Sequence, residues 1–183
     1  WIDDRIGSKR TILLALAAFA GVGLIWGGGL RGRNDHAARA EKLLQERQFA
    51  RAAEAYSEAI RCDPDSAPLY ANRASAYFRL GDYERAIAVC DQALALDPDL
   101  ALAYVNRGGA YLNRNDLEQA LADSARAIEL DPTLAQAYAN RGGVHFKKGD
   151  FVRAIADCTQ AVEREPALAV AWFCRAAAHF RKG

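Results

Sequence analysis

The stretch Tyr104–Pro132, YVNRGGAYLNRNDLEQALADSARAIELDP, holds two helical patterns and two breaks. Tyr104, Gly108 and Tyr111 recur at i, i+4 and i+7, the spacing of one face of an α-helix. They predict a first helix over about Ala101 to Arg114. Ala120, Leu121, Ser124, Ala127 and Ile128 share the packing side of a second, over about Leu117 to Leu130. Arg114-Asn115-Asp116 between them reads as a tight turn. Asp131-Pro132 ends the second helix, because proline disfavours helical backbone in the residue before it.

Outward from this stretch the same order returns at a constant step of 34. Asp63-Pro64, Asp97-Pro98, Asp131-Pro132 and Glu165-Pro166 close segments reading AIRCDP, ALALDP, AIELDP and AVEREP. The turn slot is Leu80–Asp82 upstream and Lys147–Asp150 downstream, the latter with one extra Lys. A fixed period in this range means a stacked array of one supersecondary unit. One helix pair cannot bury its apolar faces alone, whereas four and a half can.

These residues resemble the tetratricopeptide repeat. Counted within each unit, position 4 is His36, Tyr70, Tyr104, Tyr138 and Trp172, and position 8 is Ala40, Ala74, Gly108, Gly142 and Ala176. Position 20 is Ala52, Ala86, Ala120 and Ala154, and position 27 is Ala59, Ala93, Ala127 and Ala161. The resemblance implies an all-α solenoid over 34–183, with repeats at about 33–66, 67–100, 101–134 and 135–168 and a partial one at 169–183. Small residues at 8 and 20 let the helices of a pair approach, while the aromatic at 4 fills the space beside them. His36 and Leu43 depart from the pattern in the first unit, and His145 and His179 replace a packing Tyr in the last two. The half repeat is expected to cover the last open face, with Trp172 turned inward.

The pair Asn-Arg recurs at Asn72-Arg73, Asn106-Arg107 and Asn140-Arg141. Position 6 lies about 200° from both position 4 and position 8, so these Asn are expected to face away from the seam. The resemblance implies that this side lines a concave groove, where a primary amide suits the backbone of a bound peptide. The competing reading is an Asn merely tolerated on a solvated face. Arg79 and Lys147 share the groove side, as do Gly109 and Gly143, which are expected to leave room for a ligand backbone.

Arg73, Arg107, Arg141 and Arg175 at position 7 lie on the flank of the buried face, and two readings apply. They pair with acids of the second helices, or they add positive charge for a ligand. From the second unit on, first helices carry no acid, while second helices with their boundary residues are net acidic. The candidate peptide-binding residues are therefore Asn72, Asn106, Asn140, Arg79, Lys147, Arg73, Arg107 and Arg141. The expected partner is a protein or peptide, acidic by the charge argument. Chaperone-binding members of the resembled family also use Asn at position 9 and Lys at position 5. Those positions read Glu41, Ser75, Gly109, Gly143 and Ala37, Ala71, Val105, Ala139 here, so an Hsp70 or Hsp90 tail is not the expected ligand.

The remaining chemistry is sparse. With 24 Lys and Arg against 23 Asp and Glu, no bulk field favours nucleic acid. Four cysteines make no CxxC pair, and with three histidines they show no zinc pattern. Cys90 and Cys158 fall on the packing face at position 24, two repeats apart. Cys174 takes the slot of the Asn. No phosphate loop or nucleophile motif is present, so no cofactor, no metal and no enzymatic activity are expected.

Thr11–Leu30 is uncharged over twenty residues, about 30 Å as a helix, with Lys9 and Arg10 before it and Arg31 and Arg33 after it. Residues 1–33 are expected to be a single-pass membrane anchor with flanks, its orientation undetermined by so symmetric a charge pattern. The alternatives are a secretory signal cleaved near Ala18–Ala20 and a buried helix. Trp1 in place of Met, and a stop in mid-pattern, suggest a fragment. The expected function is a membrane-tethered interaction scaffold; the alternative is a docking module of a larger enzyme.

Overall fold

A computed structural model describes residues 32–183. The anchor expected at 11–30 lies outside them, and among the described residues no helix is long and apolar enough to cross a membrane. Nine helices follow one another among these residues: α1 (32–45), α2 (Phe49–Cys62), α3 (Ala67–Leu80), α4 (Tyr83–Leu96), α5 (Ala101–Arg114), α6 (Leu117–Leu130), α7 (Ala135–Lys147), α8 (Phe151–Arg164) and α9 (Ala169–Lys182). No strand occurs among the described residues. The first helix already includes Gly32 and Arg33, which the sequence pattern assigns to the anchor's flank.

Each pair turns on one residue with left-handed backbone. Arg47 (φ 60°), Gly81 (φ 84°), Asn115 (φ 70°) and Gly149 (φ 80°) occupy the same slot of successive units. The Lys counted as extra before Gly149 is therefore no insertion: α7 stops at Lys147, and Lys148 takes the next position. Asp82 and Asp150 then cap the following helices, accepting from the N–H of Arg85 at 3.0 Å and of Arg153 at 3.1 Å.

The second turn of each unit is pinned twice. Asp63, Asp97, Asp131 and Glu165 leave the helix in extended backbone, yet their N–H groups still reach the carbonyls of Ala59, Ala93, Ala127 and Ala161. The aromatic at position 4 then bonds back to the proline carbonyl. Tyr70 donates to Pro64 (3.0 Å), Tyr104 to Pro98 (3.1 Å) and Trp172 to Pro166 (2.9 Å). In the third link Arg164 takes that carbonyl, Pro132, at 2.7 Å and donates to the Tyr138 hydroxyl as well.

The seam within a pair is closed by small residues. A methyl group on Gly108 would meet Asp123 Cβ at 3.2 Å and Ser124 Oγ at 3.3 Å. On Gly142 it would meet Cys158 Sγ at 2.6 Å and the Ala154 carbonyl at 3.3 Å. The alanines at positions 8, 20 and 27 are fully buried from Ala40 through Ala161. The stack curves because α3, α5, α7 and α9 touch in sequence along one side, whereas α4, α6 and α8 make no comparable contact.

At the far end Trp172 does not turn inward as expected. It remains 45% exposed, with the Arg175 guanidinium stacked 4.3 Å from its ring, and Phe173 and Phe180 are more exposed still. No described helix follows α9 to close on this face.

Arg47 is the one non-glycine left-handed turn residue whose side chain has no hydrogen bond or ion pair among the described residues. A Cβ in this conformation costs free energy that glycine avoids. Arg47→Gly is expected to raise stability by about 0.5–1 kcal/mol, read as a higher urea midpoint at unchanged slope.

Candidate functional site

The concave side formed by the first helices encloses a groove of about 910 Å³ running from Ser75 to Ala177. Its wall contains Asn106, Asn140, Arg79 and Lys147, but not Asn72, Arg73, Arg107 or Arg141. Its floor is apolar, carrying Phe78, Leu112 and Phe146 together with Val105 and Ala139.

The Asn amides are largely occupied. Asn106 Nδ2 donates to the Ala71 carbonyl and Asn140 Nδ2 to the Val105 carbonyl, both at 2.9 Å. Each amide ties one first helix to the preceding one. Asn140 is buried, and its Oδ1 accepts from Gln136 at 2.9 Å. Gly109 and Gly143 leave no gap for a ligand backbone. Phe78 lies 3.2 Å from where a Cβ of Gly109 would stand, and Leu112 lies 2.8 Å from that of Gly143. Position 12 of one unit thus covers position 9 of the next.

The arginines at position 7 turn to the second helices. Arg107 grips Asp123 with Nε and Nη2, both at 2.8 Å, and reaches Asp91 of the preceding unit at 2.6 Å. Arg141 grips Asp157 in the same way, at 2.9 and 2.7 Å. Asp123 and Asp157 are buried, and such fork-to-carboxylate pairs are strong where water is excluded. In the second unit Val89 stands where these aspartates stand. Arg73 bonds instead to Ser57 and Gln92, and its Nε is buried without a partner among the described residues. All four arginines also lie over the position-4 ring of their own helix, 4.3–5.7 Å from its centre.

The groove therefore draws its positive charge from fewer residues than the sequence pattern suggested. Arg79 is exposed on the wall. Lys147 donates to the Leu112 carbonyl at 2.9 Å and to Asn115 Oδ1 at 3.2 Å, closing the C-terminus of α5.

A family model described as tetratricopeptide repeat matches residues 37–101, 74–135 and 105–169. The chain belongs to this family. Among solved structures, it is 29% identical to the first TPR of Spaghetti (RPAP3), bound to the HSP90 peptide SRMEEVD; the match covers 64% of this chain and 94% of that one, with a TM-score of 0.61. It is 32% identical to the second TPR domain of human RPAP3, in complex with the HSP70 peptide SGPTIEEVD, over 62% of this chain and 98% of that one (TM-score 0.56). A thermophilic TPR protein of Thermus thermophilus shares the fold over 82% of this chain and 83% of its own, at 20% identity and a TM-score of 0.74.

Within this repeat frame the sequence pattern left the floor unmarked. Phe78, Leu112 and Phe146 are large and apolar at the same step of 34, on the side of position 9, and that recurrence was the available signal. On the last helix, Cys174 stands in the Asn slot as the pattern has it, and Val170 and Phe173, which the pattern left unmarked, line the groove's end beside it.

His145, in the Tyr slot, lies beside the α7–α8 seam with Nε2 3.7 Å from Asp157 Oδ2. Burial holds its pKa below the ordinary value, outweighing the opposing pull of Asp157 and Asp150. As pH falls, the unfolded chain takes up this proton first. Stability is thus full above the ordinary histidine range and is lost as pH falls towards the folded value. His145→Tyr, which restores the residue type of Tyr77 and Tyr111, is expected to flatten the fall in melting temperature between pH 7 and 5. For the Asn brace, Asn140→Ala removes the inter-unit bond to the Val105 carbonyl, which keeps its intrahelical partner, and is expected to cost about 0.5–1.5 kcal/mol in chemical unfolding, without any ligand present.

Proposed function

We propose that the chain is an interaction scaffold that holds a segment of a partner protein in the concave groove. The observation that carries this reading is the groove itself, about 910 Å³ with an apolar floor of Phe78, Leu112 and Phe146 on four stacked first helices. A site of this size and lining suits a short stretch of chain with apolar side chains turned to the floor. Arg79 on the open wall favours an acidic residue at the flank of that stretch, with Lys147 adding to the same edge.

The two RPAP3 domains carry short peptides ending in EEVD, which supports a peptide or protein partner here. The positions that clamp a terminal carboxylate in the chaperone-binding class are Val105, Gly109, Ala139 and Gly143 in this groove. The fit here is to an apolar-centred segment rather than to an acidic tail held by its terminus. The Asn ladder contributes by keeping the first helices in register, and through the free valences of Asn106. The tether expected of residues 11–30 places this scaffold at a membrane, and flotation of the full chain with lipid vesicles tests that part separately.

Fluorescence anisotropy against labelled peptides tests the groove. Peptides with two or three large apolar residues flanked by acids are expected to bind more tightly than the same core flanked by lysines, with the preference weakening in salt. Phe173→Ala and Arg79→Glu alter exposed side chains, and each is expected to weaken binding about tenfold, ~1.4 kcal/mol. Unchanged affinity in both variants would move the site off this surface.

A further inference from the structure

One face of α9 is built like a helix seam and lies open. In each earlier unit, positions 4, 8 and 11 of the first helix turn to the second helix of the same pair. Position 8 is buried at Ala40, Ala74, Gly108 and Gly142, and positions 4 and 11 of those units are buried or half-buried. The same positions of α9 are Trp172, Ala176 and His179, and all three are exposed. The ring is nonetheless held in place. Trp172 donates to the Pro166 carbonyl at 2.9 Å, as Tyr70 and Tyr104 donate to Pro64 and Pro98, and the Arg175 guanidinium lies 4.3 Å from its ring centre. The face is thus formed before anything covers it.

The other seams define what fits there. Against Gly108 and Gly142 the second helices bring Ala120 with Ser124, and Ala154 with Cys158. Ala127 and Ala161 follow three residues on. Side chains of this size let two helices approach closely. Just before the middle small residue stands an aspartate, Asp123 or Asp157, which the position-7 arginine grips. On α9 that arginine is Arg175, which makes no hydrogen bond or ion pair among the described residues. Where Val89 replaces the acid, Arg73 Nε is left buried without a partner among those residues. An acid is therefore the complement of Arg175. The whole helix carries Arg175, His179, Arg181 and Lys182 and no Asp or Glu, a charge that draws an acidic partner. A second copy does not suit it. Two α9 faces would set like charges together, and the second helices of a copy already bury their small residues in their own seams.

We propose that this face docks one helix of a partner protein, in the slot that α4, α6 and α8 fill against α3, α5 and α7. The partner helix is amphipathic and acidic. It carries small residues at i, i+4 and i+7, and an acid at i+3 that pairs with Arg175. Docking covers Trp172 and Ala176 and continues the seam already made within the third and fourth pairs. The site is separate from the groove. α9 lines the groove with Val170, Phe173, Cys174 and Ala177, whereas Trp172, Arg175, Ala176 and His179 take no part in that lining. A segment in the groove and a helix on this face therefore do not compete.

The probe is a synthetic peptide of residues 116–131, net acidic, with Ala120, Asp123, Ser124 and Ala127 in the required pattern. So short a helix is marginal alone, so docking is read both as fluorescence anisotropy of the labelled peptide and as a gain in its helicity. Saturable binding to the full chain is expected. Ala176→Phe, which fills the open seam, and Arg175→Glu are each expected to weaken it about tenfold. The peptide with Asp123→Lys binds the wild-type chain as weakly, and recovers affinity for the Arg175→Glu chain. Phe173→Ala, in the groove, leaves the affinity unchanged. The proposal is overturned if the wild-type chain binds no peptide, or if the Asp123→Lys peptide binds it as well as the parent does. It is overturned equally if Phe173→Ala abolishes binding while Ala176→Phe does not, which would put the peptide in the groove. A dimer of the wild-type chain that Ala176→Phe dissociates and the peptide does not would assign the face to a second copy instead. The substitutions in the peptide leave the chain untouched, so they decide the matter even if Arg175→Glu fails to fold.

Discussion

Two helices can touch along their backbones only where the residues between them are no larger than a methyl group or a thiol. Gly108 and Gly142 sit within 3.5 Å of the neighbouring helix when a Cβ is placed on them, and the alanines at positions 20 and 27 are fully covered. The resulting core is thin. Its largest fully buried side chains are Tyr56, Val144, Cys90, Cys158 and Ser124, a modest set for a chain of this length. A seam of alanines buries little apolar area per residue, and burial is what drives folding. The rest must come from geometry that recurs along the stack: a left-handed residue in the turn within each pair, a proline carbonyl held in each link, and an arginine fork in the third and fourth pairs.

That division explains why the polar residues of the first helices belong to the scaffold more than to a ligand. The carbonyls of Ala71 and Val105 already accept one bond within their own helices, and the second lone pair of each faces the next first helix, where further donors can reach it. Asn106 and Asn140 supply them across the units. Arg107 and Arg141 are each held between an aromatic ring and an acid of the second helix, so their charge is neutralised beside the core and adds little to the field in the groove. What remains for a partner is the apolar floor, Arg79 and the shape of the concave face.

The repeat frame was legible in the sequence almost to the residue. The bounds expected for α5 and α6 are the bounds observed, because period, small residues and prolines all act locally and agree. The groove was legible in position but not in character. The helical-wheel angle rightly turned Asn106 and Asn140 to the concave side. It could not show that a carbonyl of the preceding unit waits there within hydrogen-bond reach. Gly109 and Gly143 looked like room for a ligand because a single helix shows only its own surface. Phe78 and Leu112, which fill that room, come from the unit before. Contacts between units depend on how the units stack, and stacking is not written in any one of them.

The departures from the repeat are therefore more informative about use than its regularities. Regular positions answer to a neighbour on both sides, so their residue types are explained once the stack is. At α9, which no described helix follows, the groove positions differ from those of the earlier units. Position 2 becomes Val170, position 5 becomes Phe173 where earlier units have Ala71, Val105 and Ala139, and position 6 becomes Cys174 in place of Asn. Phe173 is 77% exposed and lines the groove's end, so among the described residues it is largely uncovered, whereas Ala71, Val105 and Ala139 at the same position are buried. Val170, Phe173 and Cys174 thus stand on the one groove helix whose residues the repeat does not already explain.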